Sequence, residues 1–245
     1  MAHEIASYAP ITSINNTPET RFTQLSYHYS NAFPLRALIQ GIPALGGSLD
    51  TMLAGMGSKW QSDRFENYIK LLEERLSKLE RILGPVKIDP SEPLYDFIIQ
   101  TIDCALKTRS EEKRSQFASI VANQLIRKND WAEAETATRL LNDLTDIHVQ
   151  ILLAALGLRV PLGFTNMVKS VTFSNKYNDS ESVDLRTIMP DTSVIAIRLA
   201  CSELVARGLL HDNAVGISAS VGAMEYLAST ELTSWFIGWI KDPTV

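Results

Sequence analysis

Four histidines, two cysteines and one glycine-rich run are the residues in this chain whose types could do chemistry. His3, His28, His148 and His211 share no metal-ligand spacing, and there is no H-E-x-x-H in which two imidazoles one helical turn apart could hold zinc. His148 follows Asp146 by two positions near a helix start, which turns the two side chains different ways and suits a cap or core-edge residue better than a base. His211-Asp212 reads as turn chemistry at a hairpin. Cys104 and Cys201 lie far apart inside apolar runs, with no C-x-x-C and no histidine beside either, so both are expected as buried, reduced core thiols. No G-x-S-x-G elbow is present. The run from Gly41 to Ser48 nearly matches a phosphate-binding loop, but Gly47 stands where the lysine must reach the β- and γ-phosphates, and no strand leads into it. Small residues there suit close helix approach, and Gly41, Gly46, Gly47, Met52 and Met56 are the candidate self-association residues. No catalytic residue, metal or cofactor is therefore expected.

The elements that must position these residues are mostly helical. From Ser58 to Leu83, Phe65, Tyr68, Ile69, Leu72, Leu76, Leu79 and Leu83 recur at three- and four-residue steps and form one apolar stripe. Glu66–Lys70 and Glu74–Lys78 sit at ion-pairing spacing on the outer face. Gly84-Pro85 stops that helix, and the connector runs to Pro93. Leu94 to Lys107 resumes the period. Ser110 before Glu111-Glu112 caps the next helix, which turns Phe117, Ile120, Val121, Leu125 and Ile126 inward. Further helices are expected from about Trp131 to Leu141 and from Thr145 or Asp146 to Leu156. Thr192 or Ser193 caps one that reaches Arg207 and ends at Gly208. Short strands are expected at Leu209-Leu210 and Val215–Val221, and a last helix starts at Thr230-Glu231. The organisation is an irregular arm (1–33), a helical domain (34–143) and a compact α+β unit (144–245).

Two resemblances follow from these motifs. Arg207-Gly208-Leu209-Leu210, with the hairpin and Tyr226-Leu-Ala-Ser-Thr-Glu-Leu232 after it, resembles a winged helix, whose second helix enters the DNA major groove in DNA-binding members. On that reading Arg198 and Arg207 are the DNA-contacting candidates. Gly41–Leu53, Thr108–Asn123 and Leu140–Leu152 together resemble bacterial proteins of the abortive-infection alpha type, which implies a role in phage defence or stress and carries over no catalytic residue.

Charge weighs between the readings. The chain has 23 Lys+Arg against 28 Asp+Glu, a net of −5, and residues 144–245 hold 7 against 10, a net of −3. Phosphate neutralisation supplies most non-specific DNA affinity, and a net-acidic unit has few cations for it. The leading expectation is a non-enzymatic protein, mainly α, acting through a protein partner or self-association. A winged-helix transcription regulator is the alternative, and a membrane-active effector using Ala37–Met56 is a further one. That run carries Gln40, Pro43, Ser48 and Asp50, too many interruptions for a spanning helix. With no basic, apolar leader in the first 29 residues, cytoplasmic residence is expected.

Overall fold

The computed structural model describes residues 59–84, 91–127, 131–157, 170–172, 182–212 and 224–243. Five helices come first: α1 (Lys59–Leu83), α2 (Glu92–Lys107), α3 (Glu111–Arg127), α4 (Trp131–Asp143) and α5 (Asp146–Gly157). They are followed by β1 (Ser170–Thr172), β2 (Ser182–Asp184), the short α6 (Leu185–Ile188), α7 (Val194–Ala206), β3 (Leu210–Asp212), β4 (Tyr226–Ser229) and α8 (Glu231–Ile240). The protein is mainly helical with one small sheet of order β2-β1-β4-β3. β4 pairs antiparallel with both β1 and β3, and β1 pairs parallel with β2. The arm 1–33, the glycine-rich run with its self-association candidates Gly41, Gly46, Gly47, Met52 and Met56, and the expected strand Val215–Val221 lie outside the described residues.

Local chemistry sets most of the boundaries. Gly84, at φ +78°, ends α1, and its N–H donates to Glu80 O at 2.9 Å. α2 starts two residues before Leu94, behind Ser91, with Pro93 inside its first turn rather than in the connector. A first-turn N–H has no intrahelical acceptor, so a proline there loses nothing. Ser110 caps α3 by accepting from Lys113 N at 3.1 Å. α7 begins behind Ser193, whose hydroxyl accepts from Ala196 N at 3.1 Å. It ends with Gly208 at φ +71°, where Gly208 N donates to Val205 O and Leu209 N to Leu204 O, both at 2.9 Å. That bond pair is a Schellman turn, and it needs a residue at home in the left-handed region.

The α1 stripe is buried at Phe65, Tyr68, Leu72, Leu76 and Leu79, whereas Leu83, at the helix end, is exposed. On its other side Lys78 reaches Asp242 beyond α8, at 3.2 Å. α3 is the axis of the fold. It packs against α1, α2, α4 and α8, so nearly every residue from Lys113 to Leu125 is buried. A helix enclosed on all sides has no free solvent face, and its polar residues must find partners inside. Arg75 of α1 spans one such seam, donating to Ser119 Oγ at 2.8 Å and Ser115 Oγ at 2.6 Å. Asn123 donates to Trp239 O at 2.8 Å and Lys241 O at 3.0 Å, closing the carbonyl end of α8. Arg127 lies over the Trp239 ring, 4.1 Å from its centroid. The Gln124 amide and the Trp239 indole N–H are buried without a hydrogen-bond partner among the described residues. One apolar core runs from Phe65 in α1 to Ile240 in α8.

Candidate functional site

α7, the contacts at its base and the cleft beside it form the region with the most chemistry among the described residues. α7 reads Val-Ile-Ala-Ile-Arg-Leu-Ala-Cys-Ser-Glu-Leu-Val-Ala. It turns Ile197, Ala200, Cys201 and Leu204 inward, against α5 and β3. A helix apolar almost all round but covered on one side must leave apolar residues in water. Ile195 is 80% exposed and Leu199, one turn on, 60%, with Val194 and the nearby Ile188 of α6 also exposed. Isolated exposed aliphatics are ordinary on a protein surface; Ile195 and Leu199 lie one turn apart on the same side of the helix.

Arg198 and Arg207 do not share that face. They are nine residues apart on the same helical path, which at 100° per residue sets them on opposite sides. Arg198 reaches Glu225 Oε1, before β4, at 3.4 Å. Arg207 turns to α4 and lies 3.5 Å from Asp143 Oδ2. Each guanidinium already has a carboxylate beside it.

At the inner end of α7, Glu203 Oε2 lies 3.0 Å from His148 Nε2. The other ring nitrogen, Nδ1, accepts from the Thr145 backbone N–H at 3.1 Å and faces the Thr145 hydroxyl at 2.7 Å. Those contacts fix the tautomer: Nδ1 carries the lone pair, and Nε2–H donates to Glu203. His148 thus fills the third position of a capping box, in the place usually held by Glu or Gln. The hydroxyl–imidazole–carboxylate sequence resembles a nucleophilic triad in outline, but a base nitrogen already occupied by a backbone N–H serves as a cap. His148 is only 5% exposed. Burial lowers its pKa below the usual value, and it outweighs the opposing pull of Glu203.

Lys113 approaches the same junction from α3, its ammonium donating to Leu144 O at 2.7 Å and Asn142 O at 3.2 Å. A cation at the carbonyl end of α4 is well placed against the helix dipole. Burial nonetheless lowers its pKa, with Asp146, Cys104 and Asp143 opposing. Beside it a cleft of about 620 Å³ opens between α4 and α8, with Leu140, Leu232 and Trp235 as its apolar wall. Within it Trp235 Nε1 donates to Glu133 at 2.8 Å, and Asp143 faces Arg207.

The cysteines are free and not bonded to one another. Cys201 is buried, and burial pushes its thiol up to about 12, far from a reactive thiolate. Cys104 is half-buried rather than a core residue, and burial followed by the Asp103 charge raises its pKa. No group of three or more His, Cys, Asp or Glu that could hold a metal ion occurs among the described residues. No helix among them is long and apolar enough to cross a membrane. Known families, curated proteins and solved structures offer no significant match to this chain.

Sequence reasoning singled out the arginines of α7 and passed over Ile195 and Leu199. The signal was present, because the helix is apolar on more of its circumference than one packed face requires. What the residues alone could not say is which side the rest of the chain covers.

Proposed function

We propose that this chain is a non-enzymatic bacterial protein that works by protein contact, with the outer face of α7 as its contact surface. The order α5-β1-β2-α6-α7-β3-β4, with β4 between β1 and β3 in the sheet, supports a winged-helix-like reading of the C-terminal unit. In that reading α7 is the helix a DNA-binding relative would insert into the major groove. Here the exposed face carries aliphatics, the two arginines are on opposite sides and residues 144–245 have a net charge of −3. The observation that carries the proposal is the exposure of Ile195 and Leu199 one turn apart. Covering two such side chains contributes about 1.5–3 kcal/mol each before the costs of association.

The likeness of Thr108–Asn123 and Leu140–Leu152 to abortive-infection alpha proteins supports a setting in phage defence or stress within the cytoplasm. A phage challenge of cells carrying the chain tests function and surface together. Leu199→Glu abolishes protection, while Arg198→Gln, which removes a cation without altering the apolar face, retains it. No protection by the wild type, or loss with Arg198→Gln and not with Leu199→Glu, overturns the proposal in favour of the DNA-binding alternative or of neither.

A further inference from the structure

The cleft between α4 and α8 lies apart from the exposed aliphatics of α7. Its α4 wall is one helical face, because Thr136, Arg139, Leu140 and Asp143 sit within three and four positions of one another. Leu232 and Trp235 of α8 line it as well, and Arg207, just past the end of α7, borders it beside Asp143. Leu232 is 41% exposed. On a convex face one such leucine is ordinary. Here it joins Leu140 and Trp235 around a concavity of about 620 Å³, a size at which small molecules bury most of their surface.

The charges around that apolar wall are unevenly matched. Toward the start of α4, one oxygen of Glu133 accepts the Trp235 indole N–H at 2.8 Å. Toward the end of α4, two guanidiniums stand near one carboxylate. Asp143 lies 3.5 Å from Arg207 Nη1 and is one helical turn beyond Arg139. Arg139 has no carboxylate within ion-pair distance among the described residues, and its Nη2 donates to the Thr136 hydroxyl of its own helix at 3.5 Å. Arg139 is exposed, so most of its five N–H groups are open to a planar acceptor such as a carboxylate. Over the whole cleft, however, Arg139 and Arg207 are balanced by Glu133 and Asp143. That balance suits a monoanion seated at Arg139 and works against a dianion such as a phosphate monoester.

We propose that this cleft binds a small organic carboxylate with an apolar body. The carboxylate sits on Arg139 at the end shared with Arg207, and the body covers Leu140, Leu232 and Trp235. The site goes beyond the protein-contact reading and does not depend on it.

Isothermal titration calorimetry of the purified full chain with octanoate tests this. Octylamine and octan-1-ol, which keep the tail and change the head, are the controls. Octanoate binds with a Kd of about 1 mM or tighter, and the two controls bind about tenfold more weakly because neither can accept charge-assisted bonds from Arg139. Arg139→Gln weakens octanoate by about tenfold as well and leaves octan-1-ol unchanged. Thr136→Trp, which fills the cleft from the α4 side, weakens both. Arg139 is exposed, so the circular-dichroism spectrum and melting curve of Arg139→Gln match the wild type and its loss of binding is not a loss of fold. Absence of heat with millimolar octanoate, octylamine bound as tightly as octanoate, or an Arg139→Gln chain that binds octanoate like the wild type overturns the proposal.

Discussion

Asn123 joins the two ends of the fold, and its removal has a calculable cost. Its amide nitrogen donates to Trp239 O at 2.8 Å and Lys241 O at 3.0 Å, two carbonyls that the end of α8 leaves without an intrahelical donor. Asn123 itself is buried. Asn123→Ala strands a buried carbonyl, which costs about 1–3 kcal/mol. The second carbonyl is only part-buried, so water recovers most of its loss, and the sum comes to roughly 2–3 kcal/mol. For a chain of this size that lowers the melting temperature by roughly 5–10 °C. Asn123→Asp is worse than Asn123→Ala at pH 7, because a carboxylate then faces two carbonyl oxygens. It improves near pH 4, where the protonated carboxyl donates one bond again. Urea unfolding followed by Trp235 and Trp239 fluorescence reads both effects. An alanine variant within about 0.5 kcal/mol of wild type, inside the ordinary scatter of neutral surface changes, refutes the role given to Asn123. So does an aspartate variant no worse than alanine at pH 7.

Two further predictions concern local devices. His148 has a folded pKa below its unfolded one, so its contribution to stability is present above about pH 6.5 and is lost as pH falls through the lowered value. Denaturation midpoints should therefore drop between pH 7.5 and 5 in the wild type. They should drop less in His148→Gln, which keeps a capping-box acceptor but cannot titrate; equal slopes in the two proteins would count against the assignment. Gly208→Ala meets no atom within 4 Å, so only its φ of +71° resists the change. The variant should lose about 1–2 kcal/mol in thermal melts, and no loss would mean the turn relaxes.

Much of the helical frame is legible in the residues, for identifiable reasons. α1 declares itself by a stripe from Phe65 to Leu79, and α7 by Ser193 before it and Gly208 after it. α3 shows where that reading stops. Phe117, Ile120, Val121 and Leu125 mark one buried side correctly, but Lys113, Gln116, Asn123 and Gln124 look like a solvated face until α1, α4 and α8 close round them. Lys78 is a similar case, since its helical spacing suggests Glu74 and its neighbour in space is Asp242. The strand expected at Val215–Val221 lies outside the described residues; β3 pairs with Tyr226–Ser229, which the residue pattern does not single out as a strand, in the register Leu210↔Ser229, with Thr230 bonded to Gly208 O at 2.8 Å. The candidate site divides in the same way. His148 is readable as a cap from its distance to Thr145, whereas its carboxylate, 55 residues away, is set by tertiary packing.

The central claim is that protein covers the face of α7 bearing Ile195 and Leu199. A photo-crosslinkable amino acid at position 195, activated in living cells, tests it most directly, with position 135 on the exposed side of α4 as the control. The account predicts one discrete protein adduct from position 195, none from position 135, and loss of that adduct when Leu199→Glu is added. Crosslinking to nucleic acid, or an adduct pattern that is the same from both positions, would contradict it.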